Sequence, residues 1–133
     1  PGGVAVVTSW VPMTRVPLMA ALFDAVREML PSLPFGSDAK APLSERADFE
    51  GEMRGAGFSD VEVHEVAHRR EVGTTADFWA ASERSTAPVM LLSKKLGGDW
   101  PKVSEGVLSK LRSKLGDGPH TLDLIANVGI GRA

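Results

Sequence analysis

The chain has 133 residues, 43% of them hydrophobic and 24% charged, a length and balance that suit one globular domain. Fifteen basic residues against 17 acidic ones give a net charge of −2, so nothing demands nucleic acid or an anionic membrane as a partner. The lack of cysteine excludes disulfides and thiolate-bound metal, and no apolar run approaches the roughly 20 residues of a membrane span. With no basic leader before the apolar start, no Tyr and only three Trp and five Phe, neither a signal peptide nor a base-stacking platform is expected. Composition thus predicts a soluble, cytoplasmic protein.

Pro1-Gly2-Gly3 is turn chemistry, and it runs straight into the apolar stretch from Val4 to Val7 and then Thr8-Ser9-Trp10. A short continuous apolar run rich in valine predicts a strand buried on both faces, of the kind found inside a parallel sheet. A helix is expected over residues 15–30, where Val16, Met19, Leu22, Phe23, Val26, Met29 and Leu30 form one apolar stripe. Pro31 stops it, and the segment to Pro42 is rich in Pro and predicts a surface loop. Ser44 or Asp48 caps a second helix with Phe49, Met53 and Ala56 on its inner face, and Gly57 suits a left-handed stop. Gly51 and Gly55 inside that helix are unfavourable by about 1 kcal/mol each against Ala, which close packing on a sheet would explain.

Residues 60–68 alternate Val61 and Val63 with Glu62 and His64, the pattern of a half-buried strand. Thr74-Thr75-Ala76-Asp77 reads as the cap of a short helix holding Phe78, Trp79 and Ala81. A further helix covers residues 88–96 and stops at Gly97-Gly98. The longest starts at Asp99 with Val103, Val107, Leu108, Leu111 and Leu115 inward. After the turn Gly116-Asp117-Gly118-Pro119, a last strand over residues 121–131 sets Leu122, Leu124, Ala126 and Val128 against Asp123, Ile125 and Asn127. The expected fold class is α/β (α+β in appearance): a three-stranded mixed sheet with packed helices, in a single domain over residues 1–133.

Several of these segments together resemble a known family. Pro1-Gly2-Gly3 before a buried strand ending Thr8-Ser9-Trp10 resembles a segment of class I S-adenosylmethionine-dependent methyltransferases. Phe49-Glu50-x-x-Met53-Arg54-x-Ala56-Gly57-Phe58-x-Asp60-Val61-x-Val63 is similar to that family's helix-to-strand junction, and Thr74 to Trp79 to the helix that small-molecule members carry next. The final strand matches in position and pattern. The resemblance implies the C-terminal half of a Rossmann-like domain, its strands five, seven and six. The last strand would then lie between the first two and antiparallel to both. It further implies methyl transfer to a small or apolar molecule, with residues 15–42 and 74–116 as helical substrate caps.

The sequence departs from the family in one respect. The glycine-rich cofactor loop and the acidic ribose-binding residue belong to the other half, and Gly129-Ile130-Gly131 has no helix after it. S-adenosylmethionine is therefore expected of the full-length parent, not of this chain alone, which is expected to be inactive. The alternative is a non-catalytic ligand-binding or dimerisation module.

Trp10, with Ser9, stands at the carboxyl end of a strand, where open α/β sheets place ligands; it either faces the substrate or covers the sheet end as packing. Met13, Met19 and Phe23, with Leu22, form either a lid over an apolar substrate or part of the core. His64, His68 and His120 lack metal-ligand spacing and read as solvated surface. Ser82, Ser85 and Ser93 have no base in register, and no catalytic residue is assigned. A first strand without its sheet neighbour predicts self-association through Val4 to Thr8.

Overall fold

A computed structural model describes residues 2–32 and 41–133 of the chain. The expected loop between the first two helices falls partly on residues 33–40, outside the described residues. The elements run β1 (Val4–Trp10), a 3-10 turn (Met13–Arg15), α1 (Pro17–Met29), α2 (Arg46–Gly55), β2 (Asp60–Gly73), α3 (Thr75–Ser85), α4 (Ala87–Leu96), α5 (Trp100–Leu115) and β3 (His120–Arg132). The strands form a sheet in the order β1-β3-β2 that is antiparallel rather than mixed as expected, because the last strand separates the first two and runs against its neighbours. The last strand thus lies between the other two, with β1 and β3 in register from Val4 opposite Arg132 to Trp10 opposite Ala126. The described chain divides into two compact units: residues 2–16, 41–69 and 123–133, and residues 17–32 and 70–122.

In the first unit, Phe49 and Met53 stand one turn apart on α2 and pack with Val61 and Val63 of β2. Gly57 has φ +97°, the left-handed stop its position predicts. Gly51 and Gly55 do not pack closely: a β-carbon on either would meet nothing within 4 Å. The close approach is made instead by glycines of β3. A β-carbon on Gly129 would sit against the Phe49 ring and 2.7 Å from Met53 Sδ, and one on Gly131 2.7 Å from Phe58 Cγ.

That arrangement reverses two expectations. Asn127 shares a strand face with Gly129 and Gly131, so it is buried rather than solvent-facing, and its amide donates to the Ser44 carbonyl at 2.8 Å. Strand β1 is not buried on both faces: Val4 and Val6 are 61% and 63% exposed. Among the described residues it is an edge strand, and Val4 and Val6 point away from the face that α2 covers. Across the sheet, Arg15 forms a two-pronged pair with Glu65 and Arg69 another with Asp123.

In the second unit, Leu18, Leu22, Ala25 and Val26 of α1 are buried, as are Val107 and Leu111 of α5, and the two helices pack together. Gly106 allows Met29 to lie against the α5 backbone. At the rim of this contact the Glu28 carboxylate accepts from Lys114 at 2.8 Å and Lys110 at 3.0 Å. These hydrogen bonds hold its pKa below the ordinary carboxylate value. Since the folded state favours the ionised form, the contribution is present at neutral pH and is lost as pH falls through the lowered pKa. Thermal midpoints should therefore decline on acidification below about pH 4.5, and Glu28→Gln should decline less steeply than the parent over that window. Equal slopes would show that the pair adds nothing.

Helix α3 starts with the capping box its sequence announces: the Thr74 hydroxyl accepts from the Asp77 amide, and the Asp77 carboxylate accepts from the Thr74 amide at 2.9 Å. Thr75, fully buried, then joins two chain segments. Its amide donates to the Asp117 carbonyl at 2.9 Å, and its hydroxyl donates to the Gly116 carbonyl. With the hydroxyl proton so committed, the 2.7 Å contact with His120 is one in which an Nε2–H donates to Thr75 Oγ1.

Candidate functional site

The residues singled out at the carboxyl end of β1 fall in the first unit. Trp10 closes the strand opposite Ala126 and is 55% exposed. The Ser9 hydroxyl donates to the Pro42 carbonyl at 3.2 Å. Met13 opens the 3-10 turn and is 38% exposed. Trp10 and Met13 therefore offer apolar surface to solvent within three residues of chain, the raw material of a contact for an apolar ligand. Met19 and Phe23 belong to the second unit, half-buried on α1 beside the fully buried Leu22.

Acid–base and nucleophilic chemistry have no assembled centre among the described residues. Ser82, Ser85 and Ser93 each donate their hydroxyl to a backbone carbonyl one turn earlier in their own helix, those of Phe78, Ala81 and Met90. His64 pairs with Glu62 at 3.1 Å on the exposed face of β2, as its alternation predicts. His120 departs from the surface reading, since its imidazole is half-buried and bonded to Thr75. No group of three His, Asp or Glu residues could hold a metal ion among the described residues. No described helix is long and apolar enough to cross a membrane.

The sequence gives no signal for one polar cluster in the second unit. Glu83 Oε1 accepts from Ser104 Oγ at 2.6 Å and from Trp100 Nε1 at 2.9 Å, while Trp79 Nε1 donates to Ser104 Oγ at 3.0 Å. The two indoles lie 6.1 Å apart between centroids, tilted by 38°. Every donor in this set already has its acceptor, so the cluster ties α3 to α5 rather than presenting a free group. An open groove of about 740 Å³ in the first unit runs past Pro42, Leu43, Asp48 and Glu52. Its walls bring two carboxylates but no base–nucleophile pair.

The described residues do not fit an S-adenosylmethionine site. The family resemblance requires a glycine-rich loop whose amides approach the cofactor between a strand and a helix. At the described junction of β2 with α3, Gly73 is followed at once by the cap: the Asp77 carboxylate accepts from the Thr74 amide and the Thr74 hydroxyl from the Asp77 amide, which sets a carboxylate at the helix start. Gly129 and Gly131 lie inside β3 against Phe49, Met53 and Phe58. No protein-family model matches the chain, and no curated protein matches it.

Proposed function

We propose that this chain is the C-terminal half of a Rossmann-like class I S-adenosylmethionine-dependent methyltransferase that acts on a small or apolar molecule. The observation that carries this reading is the strand order β1-β3-β2, with the last strand between the other two and running against β1. The order five, seven, six of the family's sheet has this pattern, and a simple meander of three strands does not produce it. The Gly57 stop before β2 and the capped helix after it support the same reading.

On this reading Trp10, Ser9 and Met13 are the acceptor-side residues of the first unit. Met19 and Phe23 are apolar contacts carried by the helix over 17–29. The cofactor contacts come from residues that this sequence does not contain. The chain on its own is then inactive. Calorimetric titration of S-adenosylmethionine into the 133-residue chain should give no saturable heat, and saturable binding would overturn the assignment of the cofactor site to other residues.

The uncharged edge of β1 favours a second reading, a non-catalytic dimerisation module. The encoding reading frame separates the two. A strand followed by a D-x-G-x-G-x-G-type loop ahead of Pro1 supports the methyltransferase, and a start codon next to Pro1 supports the module.

A further inference from the structure

We infer that the 133-residue chain forms a two-fold dimer by antiparallel pairing of β1 with β1 of a second copy, centred on Val7. The inference rests on the register of β1 and stands apart from the methyltransferase reading. Among the described residues β1 pairs with β3 on one side and with no strand on the other. The side that β1 turns to β3 is fixed by two hydrogen bonds. Val11 N–H donates to the Ile125 carbonyl at 3.2 Å, and Ala133 N–H donates to the Gly3 carbonyl at 3.1 Å. Odd-numbered residues therefore direct their backbone groups at β3. By the alternation of an antiparallel ladder, Val4, Val6, Thr8 and Trp10 direct theirs at the open edge.

An edge of this kind is normally blunted by Lys, Pro or a bulge, and the seven residues of β1, VAVVTSW, carry none of these. The strand is also self-complementary. A two-fold axis through Val7 sets Val4 against Trp10 and Val6 against Thr8 of the other copy, with Ala5 against Ser9. Every outward N–H and C=O from Val4 to Trp10 then has a partner, and no charge opposes another. The Val4–Trp10 pairs join a β-branched residue to an aromatic one, a favoured cross-strand combination. They cover side chains that are 61% and 55% exposed in the single chain. An isologous interface of this kind closes on itself, which selects a dimer over an open fibre.

Because the chain has no cysteine, Val7→Cys is a clean reporter. Residues on the axis form a non-hydrogen-bonded pair with Cα atoms about 4.5 Å apart, inside the reach of a disulfide. Sedimentation of the unmodified chain should give twice its 14.1 kDa mass. Mild oxidation should convert Val7→Cys to a covalent dimer while leaving Val4→Cys monomeric under denaturing electrophoresis, since Val4 faces Trp10 and not itself. Val6→Lys, at a 63% exposed position that no core contact requires, should sediment at 14.1 kDa with an unchanged circular dichroism spectrum. A monomeric parent chain, or equal cross-linking at positions 4 and 7, would overturn the proposal.

Discussion

Replacing Gly129 by alanine should destabilise the protein by about 1–3 kcal/mol, and the loss should shrink when Phe49 is first trimmed to leucine. Alanine for glycine in a strand would ordinarily help by about 0.4–1 kcal/mol, because the unfolded chain loses freedom. Here the added carbon has no room: it meets the Phe49 ring and sits 2.7 Å from Met53 Sδ. Phe49 is fully buried, so the ring cannot move aside into solvent. The overpacking penalty exceeds the entropic gain, which fixes the sign. Phe49→Leu opens space on the side that the new methyl needs. Unfolding by denaturant across the four-member cycle should then give a coupling of about 0.5–3 kcal/mol. Additive losses would mean that the glycine is there for some reason other than the ring.

The second large effect belongs to Trp79, which is 2% exposed on α3. Trp79→Ala should cost about 3–5 kcal/mol through the cavity it leaves, whereas Trp79→Phe should cost nearer 1 kcal/mol. The phenylalanine keeps most of the apolar volume against Trp100 and deletes only the N–H donated to Ser104. Ser104 still donates to Glu83, so no buried donor is orphaned by that change. A Trp79→Phe loss as large as that of Trp79→Ala would shift the weight from packing to the hydrogen bond.

These two sites differ in how far the sequence announced them. Trp79 was readable, because Thr74 and Asp77 mark the start of its helix and Phe78 and Trp79 are buried as expected, although Ser82 rather than Ala81 completes the buried side. The stripe of α5 was readable for the same reason, with Val107 and Leu111 fully buried. In β3 the two-residue period was clear, but the side that it buries was not. Of the expected inner set Leu122, Leu124, Ala126 and Val128, Leu122 alone is buried, while Asn127 is buried beside Ser44 and Gly129 and Gly131 are closed over by Phe49, Met53 and Phe58. Glycine has no hydrophobic signature, and its worth here lies in the volume of Phe49 and Met53, almost 80 residues away in the chain.

Strand β1 misled in the opposite sense. Its valines carry the pattern of burial, yet burial depends on neighbours that a local pattern does not report. At the candidate site, the place of Trp10 at the strand's carboxyl end was legible, and its exposure was not. His120 was misread because its partner, Thr75, is 45 residues earlier and reaches it through the Gly116 turn.

On the proposed reading, the β1-β3-β2 sheet is that of a methyltransferase whose cofactor contacts would come from residues ahead of Pro1. The most direct test is calorimetric titration of S-adenosylmethionine into the polypeptide of the complete reading frame. Saturable binding at one site per chain is expected, lost when the glycines of the proposed D-x-G-x-G-x-G-type loop ahead of Pro1 are replaced. A folded full-length product that gives no binding heat would contradict it.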